Sequence, residues 1–215
     1  MSDGDPAQPP AIEPHPTHAA AAPVDNRVFV LVLQHPQERR EALATAAPAV
    51  AALRRARLVT GLSWRNLSHA LGREADPRRW GVLYLGSARP GLAMPQRGIV
   101  VVGRDGDALA DSAALLRGLD GIVLLDGSWK EAKTLWWRNP WLLKLHRLAL
   151  NPPAPARLGR LRREPRPDAL STLEAASLAL RHLEAGPAAA DALLGALDRL
   201  LATASPRRPT RRFRR

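Results

Sequence analysis

The chain of 215 residues contains no cysteine, and this absence excludes disulfides, cysteine-based zinc sites and a thiol nucleophile. Its six histidines are scattered, and neither an HExxH motif nor a carboxylate cluster has the spacing of metal ligands. No apolar run approaches the roughly 18 residues that span a bilayer, and the N-terminus lacks a basic segment followed by an apolar one. These absences predict a cytoplasmic protein whose chemistry uses no metal.

Lysine is scarce, with three residues, so the net charge of +12, from 32 Lys and Arg against 20 Asp and Glu, is carried by arginine. Residues 1–26 carry four acids and no base, residues 157–167 carry five Arg and one Glu, and residues 205–215 carry six Arg and no acid. Clustered arginine favours a polyphosphate partner, most often nucleic acid. An Ala- and Arg-rich composition can also follow from genomic base composition, so charge alone leaves nucleic-acid binding open.

The composition divides the chain into three parts. Residues 1–26 are rich in Pro and Ala, which predicts a disordered leader. Residues 205–215 are too charged and too rich in proline to pack, which predicts a basic disordered tail. We therefore expect one folded domain over residues 27–204.

Short apolar runs alternate with helical patterns along this domain, which predicts an α/β fold with a mostly parallel sheet, flanking helices and a helical C-terminal part. The capping-box sequence Ser171-Thr-Leu-Glu174 predicts a helix to about Glu184, and an apolar-periodic helix follows to Leu201. The predicted strands are Val28–Leu33, Trp80–Leu85, Ile99–Val102, Ile122–Leu125 and Leu145–Leu150. The earlier predicted helices are Glu38–Ala56, broken or kinked at Pro48, Ala108–Leu116 and Trp129–Arg138.

The segment Gly121–Ala132 is the most informative for function, because a buried-type strand passes directly into Asp126, Gly127 and Ser128 and then into a helix. Ligands of open α/β sheets bind beyond the carboxyl ends of strands. Gly127 lets the backbone turn and approach a ligand, while Asp126 supplies an acceptor or a base. The alternative is that Asp126 or Ser128 only caps the following helix.

Four tryptophans lie on this helix and at its end: Trp129, Trp136, Trp137 and Trp141. Core packing is the usual role of tryptophan at such spacing, but one helix face cannot bury four of them. A stacking surface for a base or for adenine is the alternative. His35, which follows the first strand, is more often a structural hydrogen-bonding group than a catalyst.

The arginines of residues 157–167 are interrupted by prolines and predict an extended basic loop. A solvated surface is the ordinary explanation for such a loop. Its closeness in sequence to Ser171–Glu174 favours a rim that grips phosphate, because the planar guanidinium group suits phosphate recognition.

Four ordered blocks between Val30 and Glu184 give the sequence a family resemblance. The blocks are Leu33-Gln-His-Pro-Gln-Glu38, Leu125-Asp-Gly-Ser-Trp-Lys-Glu-Ala132, Leu161-Arg-Arg-Glu-Pro165 and Leu170-Ser-Thr-Leu-Glu-Ala175. The second block is similar to the Asp-x-Thr-Trp signature of the DTW-domain family, the tRNA-uridine aminocarboxypropyltransferases, and the whole resembles that family. The resemblance implies a SPOUT-like fold.

The resemblance also implies an activity, which is transfer of the 3-amino-3-carboxypropyl group from S-adenosylmethionine to N3 of a uridine in tRNA, with release of methylthioadenosine and with no metal. Asp126 would accept or hydrogen-bond the N3 proton. The residues expected to bind S-adenosylmethionine are Leu85, Gly86, Leu124, Leu125, Gly127, Ser128, Trp129, Ser171, Thr172 and Glu174. Those expected to bind tRNA are Lys130, Arg157, Arg160, Arg162 and Arg163.

The sequence departs from the family pattern in three places. The N-terminal cysteine cluster of many members is absent, Ser128 replaces the signature threonine but keeps its hydroxyl, and Pro155-Ala-Arg-Leu158 stands where Pro-Ser-Arg-Tyr is common. The last change removes a hydroxyl and an aromatic group, which bears on substrate choice. Two other functions therefore remain open: a non-catalytic basic RNA-binding protein, and an RNA methyltransferase that uses the same donor.

Overall fold

The computed structural model describes residues 22–38, 44–83, 98–151, 157 and 170–204, and within them the chain alternates between strands and helices. The strands are β1 (Phe29–Gln34), β2 (Ala56–Thr60), β3 (Trp80–Leu83), β4 (Ile99–Val102), β5 (Gly121–Asp126) and β6 (His146–Leu150). The helices are α1 (Ala46–Ala51), α2 (Leu67–Leu71), α3 (Ser112–Arg117), α4 (Trp129–Arg138), α5 (Thr172–Leu183) and α6 (Ala188–Ala204), with 3-10 turns at Pro77–Arg79 and Pro140–Lys144.

The six strands form one sheet in the order β2-β1-β5-β3-β6-β4. All neighbouring pairs are parallel except β4 with β6, which are antiparallel. The continuous apolar character of β1 and β5 suits this arrangement, because parallel strands are covered on both faces. The predicted α/β class, with a mostly parallel sheet, flanking helices and a helical C-terminal part, is confirmed.

Alternate residues of the strands build a large core on each face of the sheet, and Val100, Val102 and Ala149 form a third, small cluster at the β4 edge. On the first face, Val30 and Val32 of β1 and Ile122 and Leu124 of β5 pack with α1, α5 and α6. On the second face, Leu31, Leu33 and Val123 pack with Trp80, α2 and the chain around the end of α4. Trp80 is 1% exposed.

The direction of the connections changes between β1 and β5. From β1 the chain passes through α1, on the first face, to β2 on one side. From β5 it passes through α4 to β6 on the other side. Parallel sheets open a crevice at such a switch point, beyond the carboxyl ends of the two strands. The end of β1 at Gln34 and the end of β5 at Asp126 therefore define the expected ligand edge.

The predicted helix over Glu38–Ala56 is wrong in its last five residues, 52–56. Among the residues that the structure describes there, only Ala46–Ala51 are α-helical, and the chain then forms the edge strand β2. The sequence Ala-Arg-Leu-Val-Thr lacks a continuous apolar run because an edge strand is partly exposed, so its pattern did not indicate a strand. The short helix α2 was also missed.

Smaller differences concern where elements begin and how one strand is oriented. Ala108 forms a β-bridge with Val102, so α3 starts only at Ser112 rather than at Ala108. The predicted strand Trp80–Leu85 is described as far as Leu83. Strand β4 runs antiparallel at the sheet edge, a reversal that the apolar run itself does not encode.

Two residues that the sequence assigned to the leader pack on the domain. Val24 forms a bridge with Leu53, and the side-chain amide of Asn26, a buried residue, donates to the carbonyls of Val28 and Arg55. The fold therefore includes residues ahead of Arg27. Residues 1–21 and 205–215 lie outside the described part. Each helix of the described part is too short or too polar to cross a membrane.

Candidate active site at the carboxyl edge of the sheet

Three polar residues end three adjacent strands in the same register. Thr60 of β2 is the partner of Gln34 of β1, and Gln34 is the partner of Asp126 of β5. Because side chains alternate between the faces, all three point to the first face, where α5 packs. The register of the sheet thus places a polar row at the switch point.

Hydrogen bonds along this row orient the Asp126 carboxylate. The hydroxyl of Thr60 donates to Oε1 of Gln34 at 3.1 Å, which leaves the amide nitrogen of Gln34 to donate to Oδ2 of Asp126 at 2.9 Å. Asp126 is 3% exposed and Gln34 is 2% exposed. A buried carboxylate is tolerated only when it is hydrogen-bonded. The uncharged amide of Gln34, itself held by Thr60, supplies such a hydrogen bond to Asp126.

The first residue of α5 supplies a second donor to the same carboxylate. The hydroxyl of Thr172 donates to Oδ1 of Asp126. The helix begins at this point because Ser171 caps it: the backbone N–H of Glu174 donates to Oγ of Ser171 at 3.3 Å, and the N–H of Ser171 donates to Oε2 of Glu174 at 3.0 Å. The capping box of Ser171 and Glu174 therefore positions Thr172 over Asp126.

Glu174 also ties a more distant segment to the site. It is 8% exposed, and its Oε1 accepts a hydrogen bond of 2.6 Å from the backbone N–H of Arg157. The carboxylate of Glu174 is thus engaged with the protein through both of its oxygens. Both hydrogen bonds of Glu174 have a structural effect, because they join the backbone at Arg157 to the start of α5.

The turn after β5 depends on Gly127, whose φ of +152° lies in the region that favours glycine. A Cβ atom on Gly127 would lie 2.8 Å from Cβ of Glu131 and 3.3 Å from Cβ of His35. The turn is held by a hydrogen bond of 2.9 Å from the N–H of His35 to the carbonyl of Asp126. A side chain at position 127 would therefore displace the turn that carries Asp126.

Glu131 contacts both the turn after β5 and His35. Oε2 of Glu131 accepts a hydrogen bond of 2.7 Å from the N–H of Ser128, and its Oε1 lies 3.5 Å from Nδ1 of His35. Ser128 and Glu131 form the capping box of α4. Ser128 therefore caps α4, whereas Asp126 bonds to Gln34 and Thr172 instead.

The four tryptophans divide between core and surface. Trp141 is 6% exposed and Trp136 is partly buried against the second core, as the packing alternative predicts. Trp129, at the start of α4 beside the turn, is partly buried, whereas Trp137 is 78% exposed.

The remaining residues predicted to bind S-adenosylmethionine have different environments. Gly127, Ser128, Trp129 and Thr172 lie at or beside the edge, and Leu125 is partly buried on the second face. Leu124 is 3% exposed inside the first core, so its side chain cannot contact a ligand at the edge. The predicted Leu85 and Gly86 lie outside the described residues.

The residues predicted to bind tRNA are only partly within the described ranges. Lys130 is exposed on α4. Arg157 is exposed, but its guanidinium forms an ion pair with Asp198 of α6. Arg160, Arg162 and Arg163 lie outside the described ranges.

Sequence reasoning missed Gln34, Thr60 and Glu131 as members of the site. Gln34 could have been found, because it is the polar residue that ends an apolar strand, as Asp126 does. Thr60 could not, since β2 was not predicted. Within the described ranges, no group of three or more His, Asp or Glu is placed to hold a metal ion.

A mostly parallel α/β sheet thus carries a buried, doubly hydrogen-bonded carboxylate at its switch point, which is where sheets of this kind bind ligands. The chain belongs to the DTW domain family, whose family model matches residues 15–204, a family associated with tRNA modification. The match begins inside the segment predicted to be a leader. No curated protein and no solved structure matches the chain significantly.

Proposed function

We propose that the protein transfers the 3-amino-3-carboxypropyl group from S-adenosylmethionine to N3 of a uridine in tRNA. The observation that carries the proposal is Asp126, which occupies the family signature and is held at the ligand edge by Gln34 and Thr172. No other described carboxylate ends a strand at the switch point. Asp126 is therefore the group best placed to take the substrate proton.

The reaction forms a bond between N3 of uridine and the γ-carbon of the donor, and it breaks the bond between that carbon and the sulfonium sulfur. The bonding pair of the broken bond stays on sulfur, which leaves as the neutral thioether methylthioadenosine. The N3 proton passes to the protein, and Asp126 would receive it. The imide N3–H is weakly acidic, and proton acceptance by a positioned carboxylate contributes about 10²–10⁴-fold to the rate.

Thr172 is the route by which this proton reaches the carboxylate. Asp126 is 3% exposed, whereas Thr172 is partly exposed and donates its hydroxyl hydrogen to Oδ1. A hydroxyl group can accept one hydrogen bond while it donates another. The hydroxyl would thus accept the proton from N3 and pass its own to Asp126.

The residues beside the turn suit a ligand of mixed polarity. The hydroxyls of Ser128 and Thr172 supply polar groups, while Trp129 supplies apolar surface. Such a combination matches a nucleoside that carries an amino acid, and the lack of a side chain at Gly127 lets a ligand approach the backbone. These residues would hold S-adenosylmethionine with its γ-carbon toward the substrate nitrogen, which is a positioning effect.

Replacing Thr172 with valine is expected to lower turnover about 100-fold, the lower end of what general acid–base help contributes. Valine keeps the shape but cannot relay a proton. Thr172→Ser is the matched control, because it retains the hydroxyl, and it is expected to stay within about fivefold of the parent rate. Single-turnover rates at saturating donor measure both variants. Equal rates for the valine and serine variants would remove Thr172 from the proton path.

The experiment that tests the function incubates the full chain with unmodified tRNA and S-adenosylmethionine and analyses both products by mass spectrometry. Aminocarboxypropyl-uridine together with methylthioadenosine is the expected result. S-Adenosylhomocysteine with a methylated nucleoside would instead identify a methyltransferase. Binding of tRNA with no detectable binding of donor at millimolar concentration would identify a non-catalytic RNA-binding protein, and either result overturns the proposal.

A further inference from the structure

Helix α4 presents a stripe of three exposed residues, Lys130, Lys133 and Trp137, which we call the α4 stripe. Lys130 and Trp137 are seven residues apart, about two helical turns, and Lys133 lies between them at the spacing of helix neighbours. Ala132 and Leu135 are buried on the opposite side of the helix. The three side chains therefore share one solvent-facing surface.

The packing of the described residues does not account for this stripe. Trp137 is 78% exposed, the largest exposure among the exposed large apolar side chains in the described part. Neither Lys130 nor Lys133 forms an ion pair within the described residues. An exposed tryptophan beside two ammonium groups that have no acidic partner among the described residues is the composition of a surface that binds an aromatic polyanion.

The helices on the other face of the sheet have the opposite character. Residues 172–204, which include α5 and α6, carry four acids and two arginines, and Asp191 and Asp198 form ion pairs with Arg181 and Arg157. Helix α4 carries three basic residues and one acid, and that acid, Glu131, is engaged by Ser128 and lies beside His35. Residues 172–204 therefore carry a net negative charge and α4 a net positive one, and a polyanion is attracted to α4 rather than to α5 and α6.

We infer that the α4 stripe binds a single-stranded segment of the RNA substrate, with Lys130 and Lys133 on its phosphates and Trp137 stacked on an unpaired base. The inference rests on the proposed function, because it takes the partner to be tRNA. Single-stranded RNA fits better than a protein partner, because lysine is depleted in protein interfaces whereas lysine with an exposed aromatic group is typical of single-strand binding.

The position of the helix supports this assignment. Helix α4 starts three residues after Asp126, and Trp137 lies eight residues beyond Trp129, about 12 Å along the helix axis at 1.5 Å per residue. A strand that delivers one base to the edge of the sheet therefore has its neighbouring nucleotides within reach of the stripe. The stripe would hold the nucleotides next to the target uridine.

The test measures tRNA affinity, without donor, at several salt concentrations for Trp137→Ala, Trp137→Phe and Lys133→Ala. Loss of one stacked base in Trp137→Ala is expected to weaken binding about 10-fold with the salt dependence unchanged. Trp137→Phe should keep most of the affinity, and Lys133→Ala should reduce the log–log salt slope by about 0.7. Leu143→Ala, which truncates a 56% exposed leucine outside the stripe, is the control and should change neither quantity.

Several outcomes overturn the inference. Unchanged affinity in Trp137→Ala and Lys133→Ala would do so, as would competition by duplex RNA as strong as that by a single-stranded oligonucleotide. Dissociation of an oligomer by Trp137→Ala, with RNA affinity unchanged, would make the stripe a contact between copies of the chain. The affinity measurement contains no donor, so it tests the stripe independently of transfer. If the stripe binds RNA but the full chain forms no aminocarboxypropyl-uridine, only the proposed function is rejected. Transfer with normal kcat and KM in Trp137→Ala would reject only the stripe.

Discussion

Replacing Asp126 with asparagine is expected to lower turnover by about 10²–10⁴-fold, because the variant keeps the shape of the side chain but cannot take up a proton at neutral pH. The fold should accept the change. The amide oxygen of the new side chain can accept from Gln34 in place of Oδ2 of the carboxylate, and the amide nitrogen can donate to the hydroxyl of Thr172, which is able to accept. Single-turnover formation of aminocarboxypropyl-uridine measures the rate, and calorimetric titration measures donor binding, which should stay largely intact.

Asp120→Asn is the matched control for this variant. Asp120 precedes β5, at the opposite end of the strand from Asp126, and it pairs with Arg79 at 2.6 Å on the surface. The pair raises the pKa of the Arg79 guanidinium, chiefly through the hydrogen bond, but it lies away from the ligand edge. Turnover in Asp120→Asn should be unchanged. Retained turnover in Asp126→Asn would show that Asp126 is not the proton acceptor.

The contrast between Asp126 and its partners shows what a sequence can reveal of such a site. Asp126 was predictable because an apolar strand, a glycine and a helix surround it, and this local order places a polar side chain at a sheet edge. The role of Gln34 depends on its register with Asp126, and register is a property of two strands that are distant in sequence. Local patterns cannot supply that pairing.

Thr60 and β2 show a second reason why part of the site could not be predicted from the sequence. Edge strands expose one side and need no continuous apolar run, so β2 resembles the end of a helix when it is judged from its residues alone. Its hydrogen bonds to β1, which define it as a strand, become visible only in the sheet. The central strands β1 and β5, which are buried on both faces, were predicted nearly in full for the opposite reason.

The distribution of charge also changes between sequence and structure. The sequence draws attention to residues 157–167 and 205–215, where arginines cluster, and nearly all of these lie outside the described ranges. Of the arginines in residues 157–167, the structure describes Arg157, and its guanidinium is paired with Asp198. Two of the three lysines of the chain lie instead on the α4 stripe, where their number is small but their side chains have no acidic partner within the described residues. For RNA binding, the position of a basic side chain on the fold therefore matters more than the number of basic residues in a segment.

Replacing Gly127 with alanine is expected to lower turnover about 100-fold, the loss that accompanies a shift of about 1 Å in a reacting group. The φ of +152° is one that alanine rarely adopts, and its Cβ would stand 2.8 Å from Cβ of Glu131. Either the turn or the start of α4 must move, and Asp126 is the preceding residue. We also expect the free energy of unfolding to fall by about 1–3 kcal/mol, as for a residue held in a disfavoured backbone region.

Urea denaturation and single-turnover kinetics on the same preparations separate these two effects. Gly186→Ala is the matched control, because a Cβ at that position meets nothing within 4 Å, and it should alter neither the rate nor the stability appreciably. If Gly127→Ala lost stability but kept its rate, the turn would be strained without displacing Asp126, and precise placement of the carboxylate would not be what limits transfer. A loss of rate with donor affinity retained assigns the defect to that placement, because a folded protein that still holds the donor lacks only the aligned proton acceptor.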